Sequence, residues 1–218
     1  MNVIAVNGSP RNNWNTGILV KQALEGAALA GAKTELINLY ELNYKGCISC
    51  FACKRQGGKS YGKCAVNDEL KPVLEKIEEA DALVIGSPVY FGMVTGEMRS
   101  FLERLLFQYL VYDSNHSSLY KKKMPVGLIY TMNVPEAYLE QVGYKQMFLT
   151  TVEGPLKRIF GETKTLFVTD TYQFDDYSKY ETSAFQAEEK AKRRKEIFPE
   201  DCKKAYDMGY EFVCPRME

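Results

Sequence analysis

Residues 3–17 read VIAVNGSPRNNWNTG, and this stretch decides the fold. Its first four residues form a short apolar run, which is typical of a strand buried on both faces of a parallel sheet. A glycine then permits a sharp turn, and short polar residues lead into helical spacing over residues 16–30. A buried strand that turns directly into a helix is typical of an α/β fold.

The same alternation continues along the chain. Further strands are predicted at residues 33–39, 82–85, 125–130 and 164–168, and further helices at residues 68–79, 95–110 and 144–160. Five strands alternating with helices predict a three-layer, doubly wound parallel sheet in the order 2-1-3-4-5. We expect one domain over residues 1–218, with a cysteine-rich loop at about residues 44–66 and a helical C-terminal extension at about residues 171–218.

Composition excludes several functions. The 218 residues contain 28 Lys plus Arg and 28 Asp plus Glu, so no excess of positive charge attracts nucleic acid. No apolar run of about 18 residues predicts a membrane span, and the amino end does not resemble a signal peptide. We therefore expect a cytoplasmic protein whose six cysteines are reduced. With His116 as its single histidine, the chain does not predict a serine–histidine triad.

The loop after the first strand suits a phosphate group. Ligands of open α/β sheets bind at the carboxyl ends of the strands. Ser9, Asn15 and Thr16 place short polar side chains before a helix, where free N–H groups and the helix dipole favour an anion. Arg11 adds a guanidinium. A simple helix-capping turn is the alternative, and neither a P-loop nor a G-x-G-x-x-G motif is present.

The loop after the third strand suits a flat ring. Residues 86–97 read GSPVYFGMVTGE, in which Pro88 and Gly92 shape the turn. Three side chains offer apolar faces: Tyr90, Phe91 and Met93. A tight turn whose aromatic side chains pack into the core is the alternative. The two loops meet at the switch point of the predicted sheet, where one suits a phosphate and the other a ring.

These two loops resemble those of the flavodoxin-like NADPH-dependent FMN reductases and the related iron–sulfur flavoproteins. The match covers residues 8–11 with residues 15–16, and residues 87–92. The resemblance implies a flavodoxin-like fold and an FMN whose phosphate is held by Ser9, Arg11, Asn15 and Thr16. It implies that the flavin ring is lined by Pro88, Val89, Tyr90, Phe91, Gly92 and Met93, and by Thr131, Met132 and Asn133 after the fourth strand. That last loop departs from the family's Gly-rich pattern.

A cysteine motif lies between the second strand and the second helix. It has the spacing C-x2-C-x2-C followed by a fourth cysteine after ten residues: Cys47, Cys50, Cys53 and Cys64. Three cysteines so spaced can hold a [4Fe–4S] cluster, while zinc or metal-free thiols are alternatives. The related iron–sulfur flavoproteins carry such a run in this loop, but with a shorter gap before the fourth cysteine.

The resemblance implies an FMN-dependent oxidoreductase that passes electrons from NAD(P)H to a small acceptor such as a quinone, flavin or nitro compound. Two alternatives are an iron–sulfur flavoprotein that relays electrons from a ferredoxin-like donor, and a flavodoxin-type carrier without enzymatic activity. We expect a homodimer or higher homo-oligomer, with neither nucleic acid nor membrane as a partner. The aromatic run at residues 171–180 is expected to pack against the C-terminal helix, and the alternative is that it covers a flavin, from this subunit or a partner subunit. The charged run at residues 190–195 is expected to be a solvated helix face.

Overall fold

The computed structural model describes residues 1–215 of the chain. Its sheet contains the strands β1 (Asn2–Asn7), β2 (Lys33–Asn38), β3 (Ala82–Tyr90), β4 (Met93–Val94), β5 (Val126–Thr131) and β6 (Thr163–Val168). Five of them are parallel, in the order β2-β1-β3-β5-β6, and the short β4 pairs antiparallel with β3. The predicted doubly wound order is confirmed, because β4 only forms a hairpin with the carboxyl end of the central strand β3 and leaves the order of the parallel strands unchanged.

Helices cover both faces of the sheet. They are α1 (Asn15–Leu29), α2 (Leu70–Glu79), α3 (Gly96–Phe107), α4 (Glu136–Gln141), α5 (Tyr144–Phe148), α6 (Gly154–Phe160), α7 (Ala187–Glu196) and α8 (Phe198–Val213). The single helix predicted over residues 144–160 is divided, since a π-helical turn at Leu149–Glu153 joins α5 to α6. Within residues 1–215, no helix has the length and apolar character needed to cross a bilayer.

The alternation of side chains along β1 explains the two cores. Val3 and Ala5 pack into the cluster beneath α1 and α8. Ile4 and Val6 point the other way, into the cluster beneath α2, α3 and α6. Successive side chains of a strand face opposite sides of the sheet, so a wholly apolar strand needs a helical layer on each face.

The last helix packs directly on the first. A Cβ added to Gly209 of α8 would lie 1.8 Å from the Ala23 carbonyl oxygen, and one added to Gly26 of α1 would lie 2.0 Å from the Tyr206 carbonyl oxygen. The backbones of α1 and α8 therefore touch at two glycines. This contact holds the C-terminal helix against α1, which follows the loop predicted to bind a phosphate (residues 8–17, called the phosphate loop below).

The strand β3 is longer than the predicted residues 82–85. It continues to Tyr90, and Gly86 and Pro88 pair with Ile129 and Thr131 of β5. Glycine and proline usually weaken a strand, which is why the sequence predicted an early end. The extension carries the predicted ring-binding residues to the carboxyl end of β5.

Candidate functional site

Side-chain bonds to the backbone shape the loop between β1 and α1. The Asn7 Oδ1 atom accepts a hydrogen bond from the Ser9 N–H at 3.1 Å, and the Ser9 Oγ atom accepts one from the Arg11 N–H at 3.2 Å. The Gly8 N–H donates to the Gly86 carbonyl at 2.8 Å. A Cβ on Gly8 would lie 2.9 Å from the Met98 side chain, so the loop approaches β3 and α3 closely.

The amino end of α1 has no side-chain cap. Trp14 occupies the capping position and its side chain makes no capping hydrogen bond. Thr16, in the first turn, instead bonds through its hydroxyl to the Thr131 hydroxyl at 2.7 Å, and both residues are buried. The first-turn N–H groups of a helix lack intrahelical partners, so this end offers an anion its unpaired donors and the positive end of the dipole.

The segment after β3 is a tight aromatic hairpin. Tyr90 pairs with Met93 across it, and the two turn residues, Phe91 and Gly92, have φ of +50° and +80°. Positive φ at both turn positions is typical of a type I′ turn, in which a phenylalanine is unusual. The Phe91 side chain is fully exposed at the tip. The turn therefore holds an apolar side chain in solvent through a strained backbone.

Thr95 ties this hairpin to the phosphate loop. Its hydroxyl donates to the Gly8 carbonyl at 2.8 Å and accepts a hydrogen bond from the Met98 N–H, which caps α3. Its own N–H donates to the Ser87 hydroxyl at 3.1 Å. Thr95 is thus the N-cap of α3, and the same residue fixes the distance between the two loops.

The loops surround one cleft of about 730 Å³, partly open to solvent. Every residue predicted to bind the cofactor lines the cleft except Met93, which lies on the returning strand of the hairpin. The sequence missed five further lining residues: Trp14, Val134, Tyr144, Thr171 and Gln173.

The other two predicted phosphate residues, Arg11 and Asn15, bond to the segment after β6 in this structure. The Arg11 guanidinium donates to the Gln173 carbonyl at 2.7 Å and lies 4.8 Å from the centre of the Trp14 ring. The Asn15 amide nitrogen donates to the Tyr172 carbonyl at 2.8 Å. The segment after β6 thus closes over the phosphate loop. The sequence could have indicated that this segment lines the cleft, because it follows a predicted strand and so lies at the carboxyl edge of the sheet. Nothing in the sequence indicated that Tyr144 lines the cleft.

The four clustered cysteines line a second, smaller pocket of about 330 Å³. The ten-residue insert between Cys53 and Cys64 returns on itself, because the Gly62 N–H donates to the Cys53 carbonyl at 3.0 Å. Ser49 and Phe51, between the first three cysteines, both have positive φ. The backbone thus bends repeatedly around the pocket, and burial raises the pKa of the Cys53 thiol.

Nitrogen donors surround these thiols. Arg104 and Gln108 line the pocket from α3 and from the residue after it. The Nε atom of Arg104 and the Nε2 atom of Gln108 are buried without a hydrogen-bond partner among residues 1–215. The Lys54 ammonium donates to the Phe107 and Leu110 carbonyls at the end of α3. In the described part of the chain, no three Cys, His, Asp or Glu side chains are placed to bind one metal ion.

Comparison with known proteins agrees with this architecture. The family model for NADPH-dependent FMN reductases matches residues 1–148. An iron–sulfur flavoprotein of Methanocaldococcus jannaschii is 40% identical over 104 residues, which are 48% of this chain and 51% of that protein. The chain therefore spans about half the length of the curated relatives that it matches.

Solved structures share the fold. An NAD(P)H:quinone oxidoreductase from Methanothermobacter marburgensis superimposes with a TM-score of 0.73 at 15% identity, covering 100% of this chain and 99% of that one. An FMN-dependent NADH-azoreductase from Bacillus anthracis, solved in complex with FMN, gives a TM-score of 0.64 at 13% identity over 98% of this chain and 100% of that one. The resemblance inferred from the two loops is confirmed by the family match, and the chain belongs to the NADPH-dependent FMN reductase family.

Proposed function

We propose that the cleft binds FMN and that the chain uses it to pass electrons from NAD(P)H to a small acceptor, such as a quinone, a flavin or a nitro compound. One observation carries the proposal: the uncapped amino end of α1 and the aromatic hairpin line the same cleft. The first suits the phosphate of FMN and the second suits its ring system.

A buried acceptor in the cleft supports the fit. The Asn133 Oδ1 atom is buried without a hydrogen-bond partner among the described residues, and Asn133 lines the cleft. A bare buried acceptor costs free energy unless a ligand donates to it. The pyrimidine edge of an isoalloxazine ring carries an N–H donor. The residues present therefore fit FMN at the ring end of the cleft as well as at the phosphate end.

Bound FMN supplies hydride and single-electron chemistry, and the chain binds and orients it. The Thr16–Thr131 bond joins the phosphate loop to the end of β5, and Thr95 joins that loop to the hairpin. These bonds keep the loops in place before a ligand arrives, which reduces the cost of ordering the site. The exposed Tyr90 and Phe91 leave apolar surface beside the cleft for a nicotinamide and an acceptor.

Steady-state oxidation of NADPH and NADH by the FMN-loaded protein tests the proposal. A rate that requires FMN and saturates with both the donor and a quinone acceptor is the expected result. Binding of FMN without turnover by either donor would favour the flavodoxin-type carrier. Failure of the folded protein to bind FMN would refute the proposal.

The cysteine pocket supports a second candidate, an iron–sulfur flavoprotein that relays electrons from a ferredoxin-like donor. A [4Fe–4S] cluster with four thiolates is anionic, and hydrogen bonds to its sulfurs tune its potential. The buried donors Arg104 Nε and Gln108 Nε2 fit such an anion. A cubane also takes ligands set farther apart than the single zinc ion that was the alternative. Iron analysis of anaerobically purified protein separates this candidate from metal-free thiols.

The active form in this proposal is a homodimer in the cytoplasm. The Phe91 side chain stands fully exposed at the open side of the cleft, where a second copy would shield it from water. All six cysteines are free, as expected in a reducing compartment. The rings of the aromatic run at residues 172–180 pack against one another, so this run offers less apolar surface to a partner than the hairpin does. Light scattering at micromolar concentration is expected to give twice the mass of the chain.

A further inference from the structure

The helix α7 turns two basic side chains, Lys190 and Arg194, toward the protein. The expectation of a solvated face over residues 190–195 is therefore wrong at these two positions, whereas Lys192 and Lys195 are exposed. Lys190 is only 4% exposed. Its ammonium donates to the Asn133 carbonyl at 2.8 Å and pairs with the Asp170 carboxylate. Arg194 follows one helical turn later on the same face and is half-buried. A buried cation is stable only when it is paired, so Lys190 and Arg194 need defined acceptors on the surface against which α7 packs.

Arg194 lies against the amino end of α1. Its guanidinium donates to the Asn15 Oδ1 atom at 2.6 Å and stacks 3.9 Å from the centre of the Phe198 ring. The Asn15 Nδ2 atom donates to the Tyr172 carbonyl at 2.8 Å, and the Trp14 ring nitrogen donates to the same carbonyl at 3.0 Å. A guanidinium only donates and a carbonyl only accepts, so these two partners fix the orientation of the Asn15 carboxamide.

This orientation matters for the donors at the start of α1. Asn15 is the first residue of the helix, and the carboxamide oxygen of an asparagine there can bond to the free N–H groups of its own first turn. Arg194 engages that oxygen instead. The structure has no side-chain cap on α1, and Asn15 and Thr16 of its first turn line the cleft. The N–H groups of this turn have no intrahelical partners, as at the start of any helix.

We propose that Arg194 is a positioning residue for phosphate recognition: it holds the Asn15 oxygen away from the first turn of α1, so that the N–H groups stay free for the phosphate of the ligand. The proposal rests on FMN being the ligand of the cleft. Arg194 lies beyond residues 1–148, so the family match does not assign it this role. The C-terminal segment of this chain thereby completes a site that the matched region only begins.

Titration of the full-length apoprotein with FMN and with riboflavin tests the role of Arg194. Arg194→Met keeps the aliphatic length and removes the donors and the charge. It is expected to weaken FMN binding about tenfold or more, because a hydrogen bond to a charged group is worth about 1.5–3 kcal/mol. Riboflavin has no phosphate, so its affinity is expected to change less than about twofold. Lys195→Met, at the exposed neighbouring position of α7, is the matched control and is expected to bind both ligands as the wild type does.

A second background separates positioning from a general structural role. With Asn15→Ala there is no oxygen to hold, so Arg194→Met or Arg194→Lys added to it is expected to cause no further loss of FMN affinity. Equal losses for FMN and riboflavin, or an unchanged FMN affinity in Arg194→Met, would overturn the proposal. If Arg194→Met does not fold, Arg194→Lys compared in the wild-type and Asn15→Ala backgrounds decides it, since equal losses in both would refute positioning. Wild-type protein that binds no FMN would overturn the proposed function together with this role.

Discussion

Replacing Gly17 with alanine perturbs the phosphate loop at a defined contact. An added Cβ would lie 2.0 Å from the Asn12 carbonyl oxygen and 2.6 Å from its carbon, whereas real Cβ contacts essentially never fall below 3.0 Å. The loop or α1 must therefore shift by about 1 Å (3.0 minus 2.0). Alanine alone would favour the helix by about 1 kcal/mol, but overpacking costs about 1–3 kcal/mol. We expect the free energy of unfolding to fall by up to about 2 kcal/mol.

The same shift misaligns the N–H groups of the first turn of α1. Each hydrogen bond to a charged group contributes about 1.5–3 kcal/mol, so Gly17→Ala is expected to weaken FMN binding at least about tenfold. Urea unfolding measures the stability, and calorimetric titration measures the affinity. Gly96→Ala is the matched control, because it lies in the first turn of α3 and an added Cβ meets no atom within 4 Å. A folded Gly17→Ala protein with wild-type FMN affinity would refute the placement of the phosphate at this loop.

Three further changes test other parts of the molecule. Cys50→Ser is expected to lose iron from anaerobically reconstituted protein while keeping FMN, because the two pockets use different loops; unchanged iron content would contradict the cluster. Gly209→Ala places a Cβ 1.8 Å from the Ala23 carbonyl and should lower the free energy of unfolding by about 1–3 kcal/mol in urea, whereas wild-type stability would contradict the close packing of α1 and α8. Burial raises the pKa of Glu153, so the stability that this group contributes is present at low pH and lost as pH rises through its folded-state pKa. The free energy of unfolding of Glu153→Gln, measured in urea, should therefore rise relative to that of the wild type as the pH increases from 4 to 8. A difference between the two proteins that does not change with pH would refute this.

The order of the parallel strands could be predicted because each strand is short, apolar and followed by a helical segment. Val3, Ile4, Ala5 and Val6 are all buried, which only a sheet covered on both faces permits. The ends of the strands were less predictable. Pro88 suggested the end of a strand, yet it still pairs with Thr131 before β3 leaves the sheet as a hairpin.

The side-chain partners within the site could not be predicted. Arg11 and Asn15 bind carbonyls 162 and 157 residues away along the chain, on a segment whose path depends on the packing of α7 and α8. Lys190 and Arg194 looked like surface charges, because a charged run on a helix is usually solvated. Their partners, Asn133 and Asn15, come from other loops, and only the folded chain brings them together.

A crystal structure of the protein grown with FMN is the most direct test of the central claim. We expect the phosphate within hydrogen-bond distance of the N–H groups of the first turn of α1, close to Ser9 and Thr16, and the ring system against the hairpin of Tyr90 and Phe91. A phosphate bound away from α1, or a ring seated outside this cleft, would contradict the account.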